Sequence, residues 1–224
     1  MDYACLSLRA RRHPPLLERA RWLHRWSQHV NRLIGLRLQH HGAPPRRGMI
    51  VSNHLGYLDV LAYSAVAPCV FVAKQEVAGW PVLGLFARCA GTIFVDRAHR
   101  LKVAATNASI EEALRAGALV VLFAEGTSSN GRTVLPFRSS LLEPVVHSIH
   151  AIAPAAVRYE VEQGSVSDEI CYWGEMTLVP HLLNLLTKRG IYARIAFGDF
   201  DAEGGCNSRK DAARCLHSAV SALF

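Results

Sequence analysis

The chain has 224 residues, of which 50% are hydrophobic and 19% are charged, so it is long enough for one domain with a substantial core. Its net charge of +7 is uneven, because residues 1–47 carry ten Arg against two acidic residues, whereas residues 48–224 carry fifteen Lys or Arg against sixteen. A near-neutral body argues against nucleic-acid binding, the low charged share indicates apolar surface suited to lipid, and no apolar run is long enough for a transmembrane helix.

The first element is a predicted basic amphipathic helix over Leu16–Leu38. Its apolar residues recur at helical spacing beside Trp22 and Trp26, and arginines supply the polar side. Trp and Arg on one helix are typical of a membrane interface. We therefore expect residues 1–47 to form a membrane-docking arm before a domain over 48–224, although the helix could instead pack on its own domain. No signal peptide is expected, because prolines follow the first arginines.

Strand-like and helix-like segments alternate after this arm. This alternation predicts an α/β fold, a single domain with a largely parallel central sheet flanked by helices and preceded by the N-terminal amphipathic basic helix. The predicted strands cover 48–52, 69–73, 92–95, 118–123, 151–159 and 190–197, and the predicted helices cover 57–66, 80–89, 100–116, 138–148 and 208–223.

His54 and Asp59 are the most informative pair. In one continuous helix they would lie roughly 140° apart, so they can meet only if the helix begins after His54. A strand over 48–52 and a helix from Tyr57 would place His54 at the carboxyl end of a strand, where open α/β sheets bind ligands. A His oriented by a carboxylate is a general base, although such pairs also arise by chance and do no chemistry.

Three further stretches follow apolar runs. Residues 91–97 end in Arg97, which suits a phosphate, although this stretch taken alone favours an exposed Arg paired with Asp96. Residues 120–131 open into a loop with Glu125, Gly126 and Thr127 that could present N–H groups and hydroxyls to an anion, or could be an ordinary polar turn. Arg138 follows the same loop. Residues 151–157 contain Pro154, which predicts an edge, a bulge or simply a core strand.

In order and spacing these four blocks resemble the glycerolipid acyltransferases of the 1-acylglycerol-3-phosphate (lysophosphatidate) acyltransferase type. The resemblance covers about residues 48–160 and rests on Asn53-His54 with Asp59, Gly91 with Phe94 to Arg97, Phe123 with Glu125-Gly126-Thr127, and Pro154. The chain departs from the family pattern at Ala124 (usually Pro), Ser128 (usually Arg) and Gly56 (often Ser). Arg138 could replace the missing Arg, and a different acceptor, such as a lyso-aminolipid, is the alternative.

The resemblance implies transfer of a fatty acyl chain from acyl-CoA or acyl carrier protein to the free hydroxyl of a lysophospholipid, in phospholipid biosynthesis. His54 would be the base and Asp59 its partner. Arg97, Glu125, Gly126, Thr127 and Arg138 would bind the acceptor, which is expected to be 1-acylglycerol-3-phosphate. The expected location is the cytoplasmic face of a membrane, as a peripheral enzyme on an anionic surface. The rival functions are a lipid hydrolase and a non-catalytic lipid-binding protein.

Neither a metal nor a cofactor is expected, and nucleic acid is not an expected partner. The six cysteines have no metal-ligand spacing and favour reduced thiols in a cytosolic compartment. The doublet His40-His41 has no carboxylate or Cys nearby.

Overall fold

The computed structural model describes residues 14–96, 100–146, 149–200 and 208–224. Seven strands form one sheet in the order β1-β7-β6-β2-β5-β3-β4. Strands β6, β2, β5, β3 and β4 are parallel, whereas β1 and β7 run together in the opposite direction. The strands are β1 (Leu36–His41), β2 (Gly48–Ser52), β3 (Val70–Lys74), β4 (Ile93–Val95), β5 (Leu119–Phe123), β6 (Ile152–Val161) and β7 (Ile191–Phe197).

Six α-helices in the described ranges cover the sheet. They are α1 (Leu16–Leu33), α2 (Leu58–Val66), α3 (Leu83–Ala90), α4 (Arg100–Arg115), α5 (Leu178–Thr187) and α6 (Arg209–Leu223). Helices α2, α3 and α5 pack on one face of the sheet, together with Trp22 and Leu23 of α1, and α4 and α6 pack on the other. All five residues of β2 and of β5 are buried, as expected for central strands covered on both faces. The predicted α/β fold with a largely parallel sheet is confirmed.

The N-terminal segment differs from the prediction. Helix α1 ends at Leu33 rather than Leu38, because Gly35 takes a left-handed conformation with φ of +70° that stops the helix. The chain then forms β1, which pairs with β7 inside the sheet. The expected boundary at 47/48 therefore does not separate an arm from a domain: residues 16–41 belong to the domain. Residues 1–13 of the expected arm lie outside the described residues.

Two other elements also differ. Residues 138–148 were expected to form a helix, but the described part contains only the short 3₁₀ turns Ser139–Leu141 and Glu143–Val145, and Pro144 removes a backbone donor there. Helix α5 was not predicted at all. None of the helices in the described ranges combines the length and the apolarity needed to cross a bilayer.

Candidate active site

His54 and Asp59 meet at the carboxyl end of the central strand β2. The chain leaves β2 after Ser52, and α2 begins at Leu58, so His54 lies in the connecting turn and Asp59 in the first turn of the helix. The His54 Nδ1 and Asp59 Oδ2 atoms are 2.7 Å apart. The carboxylate accepts this bond, so Nδ1 carries the proton and Nε2 is left as the basic nitrogen.

Asp59 is fully buried and is held by four donors. Its Oδ2 accepts the His54 ring and the N–H groups of Leu55 (2.6 Å) and Gly56 (3.1 Å), while its Oδ1 accepts the Tyr159 hydroxyl (2.8 Å). Burial, followed by the nearby charge of Asp59, raises the pKa of Tyr159 well above its ordinary value. Tyr159 therefore remains a hydroxyl that donates to the carboxylate.

The His54 ring is fixed from two further directions. It stacks on Phe123 at the end of β5, with ring centroids 4.1 Å apart and planes inclined by 12°. The backbone carbonyl of His54 accepts the N–H of Ser129 at 2.9 Å. The preceding residue, Asn53, is bonded through both amide atoms to the backbone of Val157, at 3.0 Å and 2.8 Å. The His54 imidazole consequently has little freedom to rotate, and 23% of the His54 side-chain surface is exposed.

A cavity of about 330 Å³ adjoins His54. Of the predicted substrate-binding residues, Gly126 and Thr127 line it, together with Ser128. Lys74, at the end of β3, also lines the cavity and was missed, because a single Lys after an apolar strand carries no local signal. The lining is otherwise mainly apolar or aromatic: Tyr57, Val60, Phe71, Val72, Val77, Trp80, Phe123, Tyr172 and Trp173.

Glu125 lies beneath this cavity rather than on its wall. It is 2% exposed, and neither carboxyl oxygen has a well-aligned hydrogen-bond partner among the described residues, although the N–H groups of Leu135 and His54 lie close to it. Burial raises the pKa of Glu125 to about 8, while the backbone N–H groups of Leu135 and His54 act in the opposite direction. A buried carboxyl at the base of the Gly126 loop suits support of that loop better than direct contact with a substrate.

Of the two predicted arginines, the described part of the chain contains Arg138 alone. Arg138 is exposed and is absent from the cavity lining, although its N–H donates to the Ala124 carbonyl at 2.8 Å. Its role in binding the acceptor stays a prediction. Arg97 lies outside the described residues.

An aromatic wall that the sequence did not predict closes one side of the cavity. Tyr172 and Trp173 follow β6 in the chain, and the Tyr172 N–H donates to the carbonyl of Leu55, the residue after His54, at 2.8 Å. Gly56 permits this approach, because a Cβ at that position would lie 2.9 Å from the Tyr172 nitrogen. The segment was distinctive in composition, but nothing local to it indicated contact with residues more than a hundred positions earlier.

His181 of α5 connects this wall to the start of α2, next to the turn that carries His54. Its Nε2 lies 3.0 Å from the Cys171 carbonyl, so this nitrogen donates, and its Nδ1 accepts the Tyr57 hydroxyl at 2.8 Å. Burial lowers the pKa of His181, against the effect of the Cys171 carbonyl. A neutral imidazole therefore links α5, the wall and the start of α2.

The comparisons with known proteins agree with this site. A family model described as "Acyltransferase" matches residues 37–158. The chain belongs to the acyltransferase family. A "Lyso-ornithine lipid O-acyltransferase" of Brucella abortus is 36% identical over 212 residues, 87% of this chain and 78% of that protein. A "1-acyl-sn-glycerol-3-phosphate acyltransferase" of Neisseria meningitidis is 32% identical over 153 residues, 68% of this chain and 60% of that protein.

A solved structure supports the fold of this acyltransferase. The acyltransferase PlsC from Thermotoga maritima superposes with a TM-score of 0.67 at 18% identity, covering 91% of this chain and 77% of that chain. The predicted family and enzyme class are thus confirmed. Within this acyltransferase, the His54–Asp59 pair is the arrangement suited to removing a proton from an alcohol.

Proposed function

We propose that this acyltransferase moves a fatty acyl chain from an acyl thioester to the free hydroxyl of a lysolipid. The observation that supports this proposal is the hydrogen bond between the buried Asp59 and Nδ1 of His54, which lines an aromatic cavity. His54 Nε2 takes the hydroxyl proton while the alcohol oxygen attacks the thioester carbonyl. The C–O ester bond forms, the C–S bond breaks, and the imidazolium returns the proton to the leaving thiolate of CoA or acyl carrier protein.

The oxyanion that forms in this reaction needs N–H donors. The backbone N–H groups near His54 that already donate to another acceptor are not free to bind it. The N–H groups of Leu55 and Gly56 point to Asp59, and that of Gly126 donates to Phe123. The N–H groups of Thr127 and Ser128 have no acceptor among the residues described, and both residues line the cavity. We therefore assign the oxyanion to the backbone of Thr127 and Ser128.

The acceptor that we favour is a lyso-aminolipid of the lyso-ornithine lipid type. Ser128 replaces the Arg that would bind a phosphate. The Brucella relative is named as an acyltransferase of lyso-ornithine lipid. Lys74 is the one Lys or Arg that lines the cavity in the described part of the chain, and it suits a carboxylate. The second candidate is 1-acylglycerol-3-phosphate, which the name of the Neisseria relative and the Asp96-Arg97 sequence favour.

A panel assay separates these possibilities. The purified chain is incubated with acyl-CoA or acyl carrier protein thioester and with each lysolipid, and the products are identified by mass spectrometry. We expect an acylated lyso-aminolipid with the wild type and none with His54→Ala. Exclusive use of 1-acylglycerol-3-phosphate would select the second candidate. Thiol release without any acceptor would identify a hydrolase, and lipid binding without turnover would identify a binding protein.

We also propose that the reaction occurs at the cytoplasmic face of a membrane, where lysolipids reside and soluble thioesters are available. The enzyme would be peripheral, and the ten arginines of residues 1–47 would favour an anionic surface. A role for residues 1–13 in this attachment stays a prediction. Deletion of residues 1–40 cannot test it, because that deletion removes α1 and most of β1.

A further inference from the structure

Helix α5 carries an apolar stripe that nothing in the described structure covers. Val179, Leu183 and Leu186 are 63%, 61% and 55% exposed, and their spacing places them along one side of the helix. The opposite side bears the buried His181 and Leu185. Three large apolar side chains in one exposed row are unusual on a monomer surface and mark an interaction site.

The stripe continues onto the end of α1. A groove of about 510 Å³ is lined by both Leu186 and Leu33, and Leu33 is 84% exposed. The charged residues that line this groove are all basic: Arg32, Arg37, Lys188 and Arg189. Lys188 is paired with Glu169, and Arg37 donates to the Tyr192 hydroxyl. Arg32 and Arg189 have no ion pair among the described residues, so their charge is available to a partner.

We propose that this surface, formed by Val179, Leu183, Leu186, Leu33, Arg32 and Arg189, docks on an anionic lipid bilayer. The inference rests on the proposed function, because a lysolipid acceptor is delivered from a bilayer. Exposed leucines with a rim of free cations match the apolar and anionic layers of a membrane interface. A protein partner of comparable apolarity would not require an entirely basic rim.

The position of the stripe relative to the cavity supports the same partner. His181 lies on the buried side of α5 and binds Tyr57, which lines the cavity beside His54. The stripe is therefore about one helix diameter, ~10 Å, from the cavity wall. Docking through α5 would hold the cavity close to the bilayer surface, within reach of a lipid that leaves the membrane only in part.

The test measures sedimentation of the full chain with vesicles of phosphatidylglycerol and phosphatidylcholine. We expect Leu183→Gln/Leu186→Gln to lower the partition coefficient at least about tenfold, since two leucines that docking would bury in the bilayer are lost. Arg32→Gln/Arg189→Gln should lower it about fivefold per charge on anionic vesicles only. The matched control is Ile149→Gln, which removes an equally apolar side chain that is 93% exposed elsewhere and should bind as the wild type does.

Two results would overturn the proposal. One is unchanged vesicle binding by Leu183→Gln/Leu186→Gln. The other is a wild-type dimer in light scattering that these substitutions convert to monomer without loss of vesicle binding, since the stripe would then be an interface between two copies. Turnover of a water-soluble short-chain acceptor keeps the proposed function separate: it should be equal in all variants, and its absence from the wild type would refute the proposed reaction instead.

Discussion

Replacing Asp59 by Asn tests the role of the carboxylate with little change of shape. Asp59 Oδ2 accepts His54 at 2.7 Å and two backbone N–H groups, whereas Oδ1 accepts only Tyr159. An Asn can present its oxygen to the first three donors and its NH₂ to the Tyr159 oxygen. Geometry is then retained, and what is lost is the negative charge that stabilises the imidazolium.

We expect kcat of Asp59→Asn to fall by about 10²–10⁴-fold, the range that general-base catalysis supplies. The free energy of unfolding should fall by only about 1–3 kcal/mol, because charged hydrogen bonds become neutral ones. Acyl transfer is measured at saturating substrate, and unfolding by urea titration. His54→Ala should cost as much as the double variant, because the two residues act as a unit.

Tyr159→Phe is the matched control. It removes the bond to Oδ1 and leaves the His54 contact intact, so kcat should fall less than about tenfold while stability falls by about 1–3 kcal/mol. The reasoning is refuted if folded Asp59→Asn retains kcat within tenfold of the wild type, or if Tyr159→Phe loses as much activity as Asp59→Asn.

Three further changes follow from the described contacts. Gly56→Ala should destabilise the protein more than Gly117→Ala in urea titration: both glycines have positive φ, worth about 1–2 kcal/mol, but only Gly56 would bring a Cβ within 2.9 Å of the Tyr172 nitrogen. Equal losses would exclude a steric role for that contact. Burial raises the pKa of Glu125 from 4.5 to about 8, so the folded state binds the Glu125 proton more tightly than the unfolded state does. The free energy of unfolding should therefore decrease from about pH 4.5 to pH 8. Glu125→Gln should flatten this pH dependence, and an unaltered pH dependence would show that other groups cause it. Removal of residues 1–40 should abolish cooperative unfolding in circular dichroism, since the large buried side chains of Trp22, Leu23 and Leu36 are lost at about 2–5 kcal/mol each; a folded product would contradict the assignment of this segment to the domain.

The sequence predicted the elements whose patterns are local. The strands at 48–52 and 118–123 and the turn that carries His54 could be recognised because buried apolar runs and turn residues lie next to each other in the chain. The start of β1 was missed since Leu36 and Leu38 extend the apolar pattern of α1, and the decisive signal was a single Gly35. The apolar pattern of residues 138–148 favours a helix, but Pro144 opposes one because it lacks the backbone N–H.

The site was predictable where its residues form a local pattern, as in the turn that carries His54 and in the loop with Gly126 and Thr127. The meeting of His54 and Asp59 could be worked out from their spacing. Tyr159 and His181 contact Asp59 and Tyr57 from a hundred or more residues away along the chain, and their contacts depend on the sheet order and on α5. No local sequence pattern indicates these contacts, so only the folded structure shows them.

Asn53, the residue before His54, completes the hydrogen bonding of the sheet with its side-chain amide. The β2–β6 ladder ends where Ser52 faces Ala155, yet Asn53 bonds to both the carbonyl and the N–H of Val157. A carboxamide has the same donor and acceptor as a peptide group, so this side chain extends the ladder by one step after the main chain has turned away. The backbone is thereby free to carry His54 out of the sheet without leaving Val157 unsatisfied. Aspartate lacks the donor and serine the reach, so the sheet by itself accounts for an asparagine at position 53.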